Sequence, residues 1–147
     1  MATSGTLRLS VIEAKLTRDT EWFSKMDPFC EIQTRHQKLR TRTLNEAGKT
    51  PVWNQVFDID VKYIGDDMTV TVYDEDVTTN DLVGKSTIKL SSLCIAGGLD
   101  DWFPIQFKGK QSGQVHLKGV WKPTPAKAPA PVSTNPMTAA MGQQLGM

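Results

Sequence analysis

The sequence predicts an all-β fold, an eight-stranded antiparallel β-sandwich, and three observations carry that expectation. Apolar residues alternate with polar ones over short runs, as in strands with one buried face. Turn-rich intervals such as "NEAGKTP", "YIGDD" and "KGKQSG" separate several of these runs. No segment carries the longer period of an extended amphipathic helix, so packed sheets must supply the core.

The elements follow in order. "TLRLSV" puts Leu7, Leu9 and Val11 on one face, and "PFCEIQT" and "QKLRTRT" are the next two strand candidates. In "VFDIDV" Phe57, Ile59 and Val61 face one way and Asp58 and Asp60 the other. "MTVTVY" repeats the scheme with Met68, Val70 and Val72. "VGKSTIKL" and "DWFPIQF" come next, with "LSSLCIAGG" between them as one short turn of helix. "GQVHLKGVWK" closes the domain with Val115, Leu117 and Trp121 inward. β-Branched and aromatic residues predominate, which suits half-buried pleated strands. Trp53, Trp102 and Trp121 are expected in the core or at strand ends.

The domain is thus expected over residues 1–123, and the composition changes abruptly beyond it. Residues 124–147 are rich in Pro and Ala, hold few charges and have no aromatic residue. Such a segment cannot bury enough apolar surface to offset its ordering entropy, so a flexible, disordered tail is expected. It has no P-x-x-P spacing; its end "MTAAMGQQLGM" is the part expected to carry any contact with a protein partner.

At 147 residues the chain suits one domain plus that tail. Seventeen Lys and Arg against sixteen Asp and Glu give a net charge of +1, so no bulk charge draws it to nucleic acid. Cys30 and Cys94 have no metal-ligand spacing, and "MATSGTLRLS" lacks the apolar core of a signal peptide. A cytoplasmic protein with reduced thiols is the default. Catalysis finds little support, because neither His36 nor His116 has a Ser or Cys nucleophile in view. The glycine pair of "IAGGLDD" lacks a strand-loop-helix context for phosphates.

The chemistry concentrates in two acidic loops. "VYDEDVTTNDLVG" holds Asp74, Glu75, Asp76 and Asp81, like charges that repel unless something positive lies between them. Asp74 and Asp76 share a face if the strand geometry persists, and Glu75 points away. With Asp81 folding back across the loop, three carboxylates converge on a hard-oxygen site suited to Ca²⁺, which takes about six to eight oxygen ligands. A solvated acidic loop fits this segment equally well. An EF-hand does not fit, since Thr79 and Lys85 stand where that loop needs Gly and Glu. The second loop, "LTRDTEWFSKMDPF", carries Asp19, Glu21 and Asp27 and also follows a strand, so the two can meet at one end of a sandwich.

Taken together, these residues resemble the C2 domain, a calcium- and phospholipid-binding β-sandwich. The markers are "GTLRLSVIEAKL", "MDPFCEI", "TPVWNQVFDIDV" and "VTVYDEDVTTNDLVGKSTIKL", in that order. The resemblance implies that Glu21, Asp27, Asp74, Asp76 and Asp81 bind two or three Ca²⁺ ions. Glu21 departs from the family's usual Asp, and neighbouring Asp19 is a substitute; the loop between Asp76 and Asp81 is about one residue short. Opening on "GTLRLSV" and closing on "GQVHLKGVWK" suits the circularly permuted type II topology.

The implied function is calcium-dependent binding to an anionic phospholipid membrane, with phosphatidylserine and phosphoinositide as candidate lipids. Trp22 and Phe23 at the first loop suit insertion at the headgroup level, with Val77 and Leu82 weaker candidates in the other. Lys38, Arg40 and Arg42, spaced by two, are expected to form one basic strand face opposite Leu39, extended by Arg35. The alternative is a calcium-insensitive interaction module docking on a cytoskeletal or ciliary assembly.

Overall fold

The structure is a computed structural model describing residues 2–21 and 24–125. Trp22, Phe23 and the expected tail from residue 126 onward therefore lie outside the described residues. The strands are β1 (Gly5–Leu16), β2 (Pro28–Gln33), β3 (Lys38–Arg40), β4 (Val52–Val61), β5 (Asp67–Glu75), β6 (Asn80–Lys89), β7 (Leu99–Phe107) and β8 (Lys110–Pro123). The short helical turn expected after β6 is a 3₁₀ turn, Leu90–Ser92.

The strands hydrogen-bond in the order β3-β2-β5-β6-β7-β8-β1-β4, every pair antiparallel. The link between β6 and β7 is one pair, Lys85 opposite Gln106. The sheet folds at this seam, and the halves β3-β2-β5-β6 and β7-β8-β1-β4 close as a sandwich. Leu7, Leu9, Val11 and Leu117 come to the core from one half, and Ile32, Val70, Val72 and Ile88 from the other. Trp53 is wholly buried, and its indole N–H donates to the Pro28 carbonyl at 3.2 Å, which satisfies its one polar atom. Gly84 serves the seam: a Cβ there would lie 2.2 Å from Ser112 Oγ and 2.9 Å from Ile105 Cδ1.

β8 follows β7 and lies beside β1, with Gly5 opposite Pro123 and Leu16 opposite Gly113. The chain thus opens with β1 and reaches the neighbouring position last, the order the type II reading requires. That register also defines two poles. The end of β1, the start of β2 and the β5–β6 turn share one; Gly5, Val61 and Pro123 share the other.

β3 is shorter than expected. The Thr41 hydroxyl accepts the Cys30 N–H at 2.9 Å and donates to the Arg42 carbonyl at 2.9 Å, drawing the chain off the ladder. Arg42 lies past the strand: its backbone N–H donates to Gln55 Oε1 at 2.9 Å, and its guanidinium donates to the Trp53 carbonyl. The expected three-residue basic face therefore reduces to Lys38 and Arg40.

A candidate metal centre at one pole of the sandwich

Along β5 the inward register of Met68, Val70 and Val72 continues to Asp74, so a carboxylate arrives at the mouth of the core, 1 % exposed. A bulge at Val72/Tyr73 resets the β5–β6 pairing and sets Asp74 opposite Asp81. Asp74 Oδ1 accepts the Asp27 N–H and Oδ2 the Thr20 hydroxyl, each at 2.7 Å. These bonds, with Glu75 N–H to the Asp27 carbonyl at 2.9 Å, fasten the β1–β2 loop to the end of β5.

Glu21, Asp74 and Asp81 each offer one oxygen, and the three oxygens lie within 4.8 Å of one another. Ligand oxygens at about 2.3–2.6 Å from a calcium ion subtend separations of this size, so the group fits one hard cation. It includes no thiol or imidazole to favour a softer one. Glu21 is oriented by its N–H to Asp19 Oδ1 at 3.0 Å and by the Ser24 hydroxyl on Oε1 at 3.3 Å. A hydrogen bond with Asp74, then the negative charge of Asp74 and to a lesser degree Asp76, raises the Glu21 carboxyl to about 7. The neighbouring negative charge disfavours the ionised carboxyl and makes this pole one that a bound cation would relieve.

Asp27 and Asp76 stand outside this trio. Asp27 Oδ1 accepts the Glu46 N–H at 2.6 Å and so holds the β3–β4 loop to the same pole. Asp76 takes the Val77 N–H on its own carboxylate at 2.7 Å and donates its N–H to the Thr79 carbonyl at 3.0 Å. That turn thrusts Val77 out, 99 % exposed. Glu75 points away, as alternation requires, to Thr43 at 2.8 Å and Arg40 at 2.9 Å; these partners, Thr43 foremost, hold its carboxyl below the usual range. Sequence reasoning missed Thr20, Ser24 and the Glu46 amide. A hydroxyl joined to a carboxylate 54 positions away leaves no pattern in the chain.

The cations of the β2–β3 edge are matched by acids: Lys38 with Glu31 at 3.7 Å, Arg35 with Asp66 at 3.7 Å, and Arg40 with Glu75. Arg40 also lies 3.6 Å over the Phe29 ring. Lys38 and Arg40 stay exposed, but Glu31 and Glu75 temper their field. Elsewhere His116 stacks on Trp102, and both its ring nitrogens are engaged, Nδ1 by Glu13 at 3.1 Å and Nε2 by Asp100 at 2.5 Å. That leaves it no nitrogen with which to activate a nucleophile. No helix of the described residues is long and apolar enough to cross a membrane.

Comparison with known proteins finds relatives of this chain. The family model described as C2 domain matches residues 5–105. Mouse extended synaptotagmin-3 is 31% identical over 122 residues, covering 80% of this chain and 13% of that protein. The 16 kDa phloem protein 2 of Arabidopsis thaliana is 30% identical over 96 residues, 65% of each chain. Among solved structures, the calcium-bound C2A and C2B domains of extended synaptotagmin 2 superpose with a TM-score of 0.71 at 27% identity. That match covers 81% of this chain and 46% of the other. The chain spans only about an eighth of the length of the extended synaptotagmin relative.

Proposed function

Because the chain belongs to the C2 domain family, we propose that it is a small non-enzymatic module that binds anionic phospholipid membranes when calcium rises. The observation that carries this reading is the meeting of Glu21, Asp74 and Asp81 beside a fully exposed Val77. Unneutralised, these carboxylates repel an anionic surface. Glu21, Asp74 and Asp81 would hold a Ca²⁺ ion, and Asp27 and Asp76, with Asp19 beside Glu21, complete a set for two or three. Bound calcium supplies positive charge and open coordination positions for lipid phosphate or carboxylate oxygens.

The chain's own residues do the rest. Asp74 keeps the two acidic loops in register through Thr20 and Asp27. Val77, with Trp22 and Phe23 next in sequence to Glu21, offers apolar contact at headgroup depth. Lys38 and Arg40, with Arg42 beyond the strand, face the lipid secondarily, phosphatidylserine or phosphoinositide being the anionic species suited to them. The protein is then cytoplasmic at rest and peripheral on the membrane when calcium is high. The rival reading, a calcium-insensitive scaffold module whose tail binds a protein, is less well supported by a pole that gathers carboxylates.

The test is co-sedimentation of the full chain with phosphatidylserine vesicles, in calcium and in chelator, with Val77→Asp alongside. Stronger retention in calcium than in chelator, with the calcium-dependent part weakened by Val77→Asp without a change in melting temperature, is expected. Equal retention in both conditions would sink the switch.

A further inference from the structure

The tip of the β7–β8 hairpin is built against its own sterics. Phe107 pairs with Lys110, and the turn between them is Lys108 at φ 50° and Gly109 at φ 78°. Two consecutive left-handed residues make a type I′ turn, whose first position is ordinarily Asn, Asp or Gly. A lysine there is disfavoured by its Cβ, so turn geometry does not account for its presence.

The hairpin also stands at the acidic pole. Thr17 and Arg18 donate their N–H groups to the Ser112 carbonyl at 2.8 and 3.2 Å, next to the base of the hairpin. The Arg18 guanidinium lies 3.6 Å over the Phe107 ring, and its Nε donates to the Leu82 carbonyl, one residue from Asp81, at 3.2 Å. Lys108 and Lys110 are exposed and have no acidic partner among the described residues. Arg8, Arg35, Lys38, Arg40, Lys62 and Lys89 have one, while Lys15, Lys25, Lys49, Lys85, Lys118 and Lys122 also lack one but do not share a turn at this pole. Two ammonium groups without an acidic partner therefore stand at this pole, that of Lys108 5.3 Å over the Phe107 ring, on the side that the proposed mechanism turns to lipid.

We propose that Lys108 and Lys110 form a calcium-independent contact with anionic lipid headgroups, which holds the acidic pole near the membrane before calcium arrives. The proposal rests on the membrane reading above and adds a second, cationic element at the same pole. Charge complementarity selects an anionic bilayer as occupant, because the tip presents two exposed cations. Screening by salt should weaken this contact more than coordination through a bound ion.

The experiment compares the full chain with Lys108→Asn, Lys110→Gln and the double variant. Each is sedimented with vesicles of phosphatidylcholine alone and with added phosphatidylserine, in calcium and in chelator, at low and high salt. Retention on phosphatidylserine vesicles should fall about fivefold per lysine removed, and the double variant should lose the salt-sensitive retention seen in chelator. Lys108→Asn should melt at or above the wild-type temperature, because Asn tolerates the left-handed turn. A double variant that binds like wild type in both calcium and chelator overturns the proposal even where calcium dependence stands. A lower melting temperature for Lys108→Asn removes its steric basis. Wild type bound equally in calcium and chelator, with loss in the double variant, removes the calcium switch and upholds the hairpin.

Discussion

Asp74→Asn separates the two duties of the buried carboxylate, because the amide keeps its shape and drops its charge. An Asn oxygen still accepts the Asp27 N–H, and the Thr20 hydroxyl can turn from donor to acceptor opposite the new NH₂. Each bond loses charge assistance, a cost of about 1–1.5 kcal/mol apiece. Against this, two charges no more than 4.8 Å apart repel by at least about 3.5 kcal/mol at an effective dielectric constant near 20. Roughly half of that survives the partial exposure of Asp81, and the repulsion between Asp74 and Glu21 is offset by the hydrogen bond they share, so the terms nearly cancel. In chelator the variant should melt within about 4 °C of wild type. In calcium at about a hundred times its dissociation constant, wild type should gain about 2.7 kcal/mol, or about 8–12 °C for a domain of this size. The variant should lose most of that gain, since one of the three clustered carboxylates is gone. Thermal melts with and without calcium read both quantities. An equal calcium shift in wild type and variant refutes the assignment of Asp74 as a ligand. A loss beyond about 2 kcal/mol in chelator would show that the loop fastening outweighs the repulsion.

Gly84→Ala should destabilise by about 1–3 kcal/mol in urea unfolding, because Ser112 Oγ and Ile105 Cδ1 must retreat from the new methyl at the seam. The Asp100 and Glu13 carboxylates raise the His116 pKa above 6.5 through hydrogen bonds, Asp100 having the larger effect. Its contribution is thus fully present below pH 6.5 and lost as pH rises through the raised folded value. Urea midpoints should decline over that window, and His116→Gln should flatten the decline.

The fold was legible because half-buried strands write their burial in period two. The Leu7, Ile59, Val70 and Leu117 faces are all core, and every expected strand is present. The end of β3 was not legible, because "QKLRTRT" continues the alternation past the point where the Thr41 hydroxyl takes the Cys30 N–H. Glu75's exclusion followed from alternation alone, whereas the inward turn of Asp81 depends on a bulge that shifts register without a marker residue. Alternation also grouped Asp76 with Asp74. The Asp76 carboxylate turns back on the Val77 N–H instead, because past β5 the chain bends and local hydrogen bonding decides side-chain direction.

The pairing of Gly5 with Pro123 gives the molecule a direction. β1 runs 12 residues from that pairing to the acidic pole, about 40 Å at strand rise. Whatever follows Pro123 accordingly sets out from the far side of the sandwich. A domain seated by its acidic loops would hold Pro123 a full strand's length above the lipid. A partner met at that far pole and a membrane met at the loops would then not compete for space, and one small domain would act as a spacer between them.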